Sequence, residues 1–201
     1  MISSQNNIFR TSITKEEIAM LPIEEFSGTI EVIETKEEAK KALDILKTQP
    51  ILGFDSETKP SFTKGKSNNV CLIQLSTLST CYLFRINKDE MLPEIIEEIM
   101  KNEKITKIGL SLKDDFTGIN KLQKFKPNNC IDLQKYVKQF GITDNSLSKI
   151  YAIIFNKKIS KSQRLTNWEA ETLTEKQKNY AALDAWAALV IYQQLESKLI
   201  L

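Results

Sequence analysis

The chain has 201 residues, 41% hydrophobic and 27% charged, with a net charge of +2. That length suits one domain with a full core, and the near-neutral balance provides no global field to gather a polyanion. Histidine is absent, which excludes Ser-His-Asp and Cys-His nucleophiles, a histidine general base and histidine-ligated zinc.

The first 28 residues are polar and weakly patterned, an N-terminal extension that either packs over the body or stays loose; residues 29–201 form the domain. The N-terminus lacks the basic-then-apolar pattern of a leader, and no stretch is apolar enough for a membrane span. A cytoplasmic chain with no membrane partner is therefore expected. Residues 28–33 alternate as a strand, and Thr35 with Glu38 three positions on forms a capping box opening a helix over 36–48. Pro50 punctuates, and 51–56 reads as a central strand. Residues 70–75 and 80–84 read as an antiparallel hairpin. A helix over 91–101, a strand over 106–110, a helix from Ser111 to 124 and a short strand over 130–133 follow. Helices close the chain at 133–140, 146–155 and 174–200, the last capped by Thr174 with Gln177 three positions on. Strands mixed with helices, then helices alone, predict an α/β domain of three layers, a mixed sheet flanked by helices. Cys71, Cys81 and Cys130 are odd in number and lack CxxC spacing, the pattern of reduced thiols.

Three apolar segments carry carboxylates. Asp55 and Glu57 end the first and, at i and i+2 of a strand, point to one side. Two such acids resist joint ionisation, and a divalent cation between them removes the conflict. The plainer alternative is a solvated turn at a strand end. Asp114 and Asp115 follow the second segment, where acids in a first helical turn are ordinary dipole partners. Asp184 lies mid-helix among Ala181, Ala182, Leu183, Ala185 and Ala187, where a carboxylate has no local partner. The alanines let that helix approach the sheet and bring Asp184 near Asp55; the alternative is an isolated structural acid paired with a lysine. Tyr180 stands one turn before Asp184 on the same face; it orients or helps deprotonate a water, or else is a core aromatic. Carboxylates without imidazole or thiolate suit Mg²⁺ or Mn²⁺, and two such ions form the clamp used in phosphoryl transfer.

The segments Phe54-Asp55-Ser56-Glu57, Ile108–Asp115 and Tyr180–Asp184 resemble the three motifs of DEDD-type 3′–5′ exonucleases. Tyrosine four positions before the last aspartate is similar to the tyrosine branch, which includes ribonuclease D. The run from Lys161 through Arg164 and Trp168 to Tyr192 is most similar to the Werner-syndrome exonuclease domain. The resemblance covers roughly residues 30–195. It implies a ribonuclease-H-like fold and removal of nucleotides from the free 3′ end of DNA or RNA. It further implies metal ligation by Asp55, Glu57, Asp115 and Asp184, two Mg²⁺ or Mn²⁺ ions, and Tyr180 at the nucleophilic water. The offset from Gly109 selects Asp115 over Asp114. Lys161 and Arg164, within the matching block, are the expected phosphate contacts, and Trp168 either stacks on a base or packs its loop against the body. The lysine-bearing loop over 58–66 covers the terminal nucleotide or is solvated. With no appended binding module in the sequence, targeting is expected to come from a protein partner or to be modest. The competing readings are a ribonuclease-H-class endonuclease, a non-catalytic nucleic-acid-binding module and, more remotely, a dehalogenase-type phosphatase.

Overall fold

A computed structural model describes residues 8–61, 68–86, 88 and 92–199. Its strands are β1 (Thr29–Ile33), β2 (Ile51–Thr58), β3 (Val70–Ser76), β4 (Thr80–Arg85), β5 (Thr106–Gly109) and β6 (Cys130–Asp132). They form one sheet in the order β1-β4-β3-β2-β5-β6. Neighbours β1–β4, β2–β5 and β5–β6 are parallel, while β3 runs against both β2 and β4. The hairpin of β3 and β4 is thus where the turn residues between two apolar runs place it. β3 is buried along its whole length, so its residues are apolar on both faces except for Gln74 and Ser76.

The helices are α1 (Lys15–Ala19), α2 (Lys36–Leu46), α3 (Leu92–Lys101), α4 (Leu112–Ile119), α5 (Leu133–Tyr136), α6 (Leu147–Phe155) and α7 (Glu175–Leu199). One core joins α2, α3 and α4 to Phe54, Ile73, Leu75 and Phe84; the other joins α6 and α7 to Leu72, Cys81 and Leu83. These are the three layers the element order predicts. Thr35 and Glu38 form the expected capping box. At the head of α7, the Thr174 N–H donates to Gln177 Oε1 at 3.0 Å and the Gln177 N–H to Thr174 Oγ1 at 3.3 Å.

Two helices are shorter than the pattern predicts. Asn120 ends α4, its side chain accepting the Phe125 N–H at 3.0 Å and pulling the chain out of register. After α5 the backbone tightens into a 3-10 turn, Val137–Phe140, closed by Gly141 at φ 82°. Residues 8–28 pack over the body. Ile13 and Phe26 are buried, the Thr143 N–H donates to the Thr11 carbonyl, and the Lys158 N–H donates to that of Pro22. The first seven residues of the extension, residues 62–67 of the lysine loop, Met91 and Ile200 lie outside the described residues. Among the described residues no helix is long and apolar enough to cross a membrane.

Candidate active site

The site forms where α7 lies directly on β2. A Cβ on Gly53 would stand 2.0 Å from the Ala185 carbonyl oxygen, so only glycine permits this approach. Buried Ala181, Ala182, Ala185 and Ala188 make the matching helix surface. The result is the meeting that the alanine pattern predicts: carboxylate oxygens of Asp55, Glu57 and Asp184 lie within 4.8 Å of one another. All three are partly accessible.

Asp115 stands slightly apart. Ser56 points to the opposite face of β2 from its neighbours Asp55 and Glu57, and its hydroxyl donates to Asp115 Oδ1 at 2.5 Å. Asp115 nonetheless lies close enough to raise the proton affinity of both Asp55 and Glu57, while Asp114 is exposed. A hollow of about 480 Å³ opens on this side, lined in part by Ser56, Asp114 and Asp115. A smaller cavity of about 130 Å³ touches Asp55 and Asp184 and has apolar walls of Phe54, Leu110 and Leu147.

Asp132 positions the helix that carries Asp115. Ser111, at φ 61°, leaves the head of α4 without a side-chain cap. The Asp132 carboxylate replaces it, accepting from the Ser111 N–H at 3.2 Å and the Leu112 N–H at 3.1 Å, and from the Gln134 N–H at 2.9 Å. The sequence offers only a partial signal, an aspartate directly before a helix; its service to a second helix depends on the β5–β6 pairing.

Crowding governs the charge state of the cluster. Burial, then the charges of Asp115, Asp184 and Glu57, push Asp55 well above the usual carboxylate range. Burial and then Asp184 and Asp115 push Glu57 to about 8, against the opposing pull of Arg164. Burial raises Asp184 to about 7 although the Tyr180 hydroxyl and Lys161 favour its charged form, and burial raises Asp115 to about 6. A dense group of oxygen acids short of positive charge suits a hard divalent cation. The donor set fits the group: no imidazole exists in the chain, and the Cys81 thiol near Asp55 is pushed up by burial.

The Tyr180 phenol lies beside the Asp184 carboxylate, and burial together with the Asp184 charge holds it protonated above the usual range. In the metal-free protein it is therefore a donor; acting as a base would need cations beside it. Lys161 and Arg164 are exposed and their charges reach Asp184 and Glu57 respectively, so both face the cluster. Trp168 requires a correction as a nucleic-acid contact. It is fully buried, with its ring 5.9 Å from that of Tyr180, and has no face to offer a base. It packs the loop against the body, and the loop is further held by Gln177 Nε2 donating to Thr166 Oγ1 and to the Asn167 carbonyl.

A six-stranded sheet with a single reversed strand, and an acidic cluster with an adjacent phenol, define a ribonuclease-H-like domain whose carboxylates could hold a divalent cation. The chain belongs to the 3′–5′ exonuclease family, whose profile matches residues 30–200. It is 33% identical over 156 residues to the bifunctional 3′–5′ exonuclease/ATP-dependent helicase WRN of Mus musculus, a match covering 72% of this chain and 11% of the mouse protein. It is also 33% identical over 152 residues to exonuclease 3′–5′ domain-containing protein 2 of Drosophila melanogaster, covering 74% of this chain and 26% of that one. The chain thus spans only a small part of these relatives. Among solved structures, the Nibbler EXO domain of Aedes aegypti superposes with a TM-score of 0.76 at 24% identity, covering 85% of this chain and 88% of that one. That likeness speaks for the fold.

Proposed function

We propose that this chain hydrolyses phosphodiester bonds one at a time from the free 3′ end of a DNA or RNA strand, with two Mg²⁺ or Mn²⁺ ions. The observation that carries this reading is the trio of Asp55, Glu57 and Asp184 beside the Tyr180 phenol. These three carboxylates would hold the ions, with Asp115 joining them on release from the Ser56 hydroxyl. When bound, such ions stabilise charge on the phosphoryl oxygens. The chain's own residues do the rest. Asp184 fixes the phenol of Tyr180, whose hydroxyl orients the attacking water. Lys161 and Arg164 draw the backbone phosphates to the cluster without reading sequence.

Tyr180→Phe is expected to lower kcat by roughly 10²-fold, the scale of a lost proton-positioning group, with KM nearly unchanged. A single-turnover assay showing wild-type kcat would reduce Tyr180 to a packing residue. Arg164→Ala is expected to weaken binding of all strands alike. The slope of log affinity against log salt should become shallower by about 0.7, as expected for one lost phosphate contact on a single strand; an unchanged slope would remove Arg164 from the interface. The direct test of the reaction class uses a closed circular single strand beside its linear form. The linear strand should be digested and the circle survive. A cut circle would identify an endonuclease.

A further inference from the structure

Gln74 lies in the middle of β3, is fully buried, and neither end of its amide has a hydrogen-bond partner. Leaving both ends of a buried amide unsatisfied is costly, and rare enough in native proteins to call for a cause. The sheet register supplies one. Gln74 is directly opposite Asp55 on β2 and opposite Leu83 on β4. Opposed residues of an antiparallel pair share a face, with Cβ atoms roughly 4.5–5.5 Å apart. Leu72 and Leu83 belong to the core under α7, so Gln74 lies on the α7 face, beside the acidic cluster.

Few polar groups share that face. The Ser76 hydroxyl is committed to the Thr77 carbonyl at 2.8 Å. Arg85, diagonal to Gln74 on β4, is 1% exposed. Its terminal nitrogens donate to the carbonyls of Ala170 and Glu171 and to Glu34 Oε1, but its Nε–H has no partner. Among the described residues the buried side-chain atoms without a partner are Gln74 Nε2 and Oε1, Arg85 Nε and Trp168 Nε1; of these, Arg85 Nε–H can serve the Gln74 acceptor, and the Gln74 donor faces the Asp55 carboxylate across the strand pair.

We propose that Gln74 is a positioning residue for Asp55, its Nε2–H donating to one Asp55 oxygen and its Oε1 accepting from Arg85 Nε when the site is loaded. The inference rests on the reading of the cluster as a divalent-cation site. The bond fixes the Asp55 carboxylate in one orientation and turns its second oxygen toward the cation. Because Arg85 also holds residues 170 and 171, the same line of bonds ties the segment bearing Lys161 and Arg164 to the metal ligands.

Gln74→Leu deletes the amide at similar volume. The metal-free variant should melt no lower than wild type. Its Mn²⁺ affinity, measured by calorimetry at pH 8 without substrate, should fall roughly ten- to a hundredfold. Terminal hydrolysis should lose kcat over the same range with KM for the strand unchanged. Wild-type Mn²⁺ affinity in the variant would overturn the proposal, as would a lower melting temperature with kcat and KM affected together, which would assign Gln74 to packing. Gln74→Met makes the same deletion if the branched side chain does not fit. A wild-type protein that binds Mn²⁺ but digests no strand would sink the exonuclease reading, and the isotherms would still decide the role of Gln74. One that binds no Mn²⁺ would sink both.

Discussion

Replacing Asp55 by alanine is expected to lower hydrolysis by on the order of 10³-fold or more while making the metal-free protein more stable at pH 8. The first effect follows from position. Asp55 lies within reach of Glu57 and Asp184 and feels the charge of Asp115, so its removal takes one ligand from the trio and disturbs every other acid of the cluster. Losing an ion that supplies several kcal/mol of charge stabilisation costs a factor of ten for each roughly 1.4 kcal/mol. The second effect follows from crowding. Without a cation each carboxylate is repelled by the others, and deleting one relieves the rest. Asp55→Asn should behave alike, since it removes the charge and keeps the shape. A variant with near-normal turnover would place the chemistry elsewhere; one less stable than wild type at pH 8 would make Asp55 a structural residue.

The metal-free protein is expected to lose stability as pH rises from about 4 to about 8. Asp115, Asp184 and Glu57 release their protons at about 6, about 7 and about 8 in the folded chain, against ordinary values of 3.8 and 4.5. Through that window the folded chain binds more protons than the unfolded one, so stability falls with increasing pH. The contribution is complete below the ordinary carboxylate range and gone above the raised values. A tenfold change in proton affinity is worth about 1.4 kcal/mol, so the cluster amounts to several kcal/mol and roughly 10 °C in melting temperature. Glu17, lowered to about 2 by the Thr14 backbone and Arg10, acts below this window and does not mask it. Mg²⁺ or Mn²⁺ should restore the loss at pH 8 and do little at pH 5, where protons already occupy the site. A flat melting temperature between pH 5 and 8 without metal would contradict this, as would a rescue by metal that survives Asp184→Asn.

Local chemistry was legible wherever it needed no partner from elsewhere in the chain. The Thr35–Glu38 and Thr174–Gln177 pairs announce two helices because capping is satisfied within four residues. The alanines around Asp184 disclose a helix that must lie close to another backbone, and Gly53 proves to be the point of contact. Asp55 and Glu57 share a face because a strand leaves no choice.

What was not legible depends on register and depth. Gln74 sits in an apolar run with nothing local to distinguish it, and only its pairing with Asp55 places it at the site. Arg85, at the end of β4, resembles a surface charge until the segment around Ala170 folds over it. Trp168 has the composition of a base-stacking residue, but its depth beneath the loop decides otherwise. The packing of Ile13 and Phe26 was invisible in a segment whose surroundings are polar.

The central claim is that one acidic cluster removes nucleotides from a 3′ end with the help of divalent metal. Digestion of matched 5′-labelled DNA and RNA oligonucleotides by wild type and Asp55→Ala, with Mg²⁺ or Mn²⁺ and with chelator, tests it most directly. The expected result is a ladder shortening from the 3′ end, absent with chelator and absent in the variant, with the relative rates reporting the preferred sugar. Intact strands with folded, metal-bound wild type, or a ladder that persists in Asp55→Ala, would contradict it.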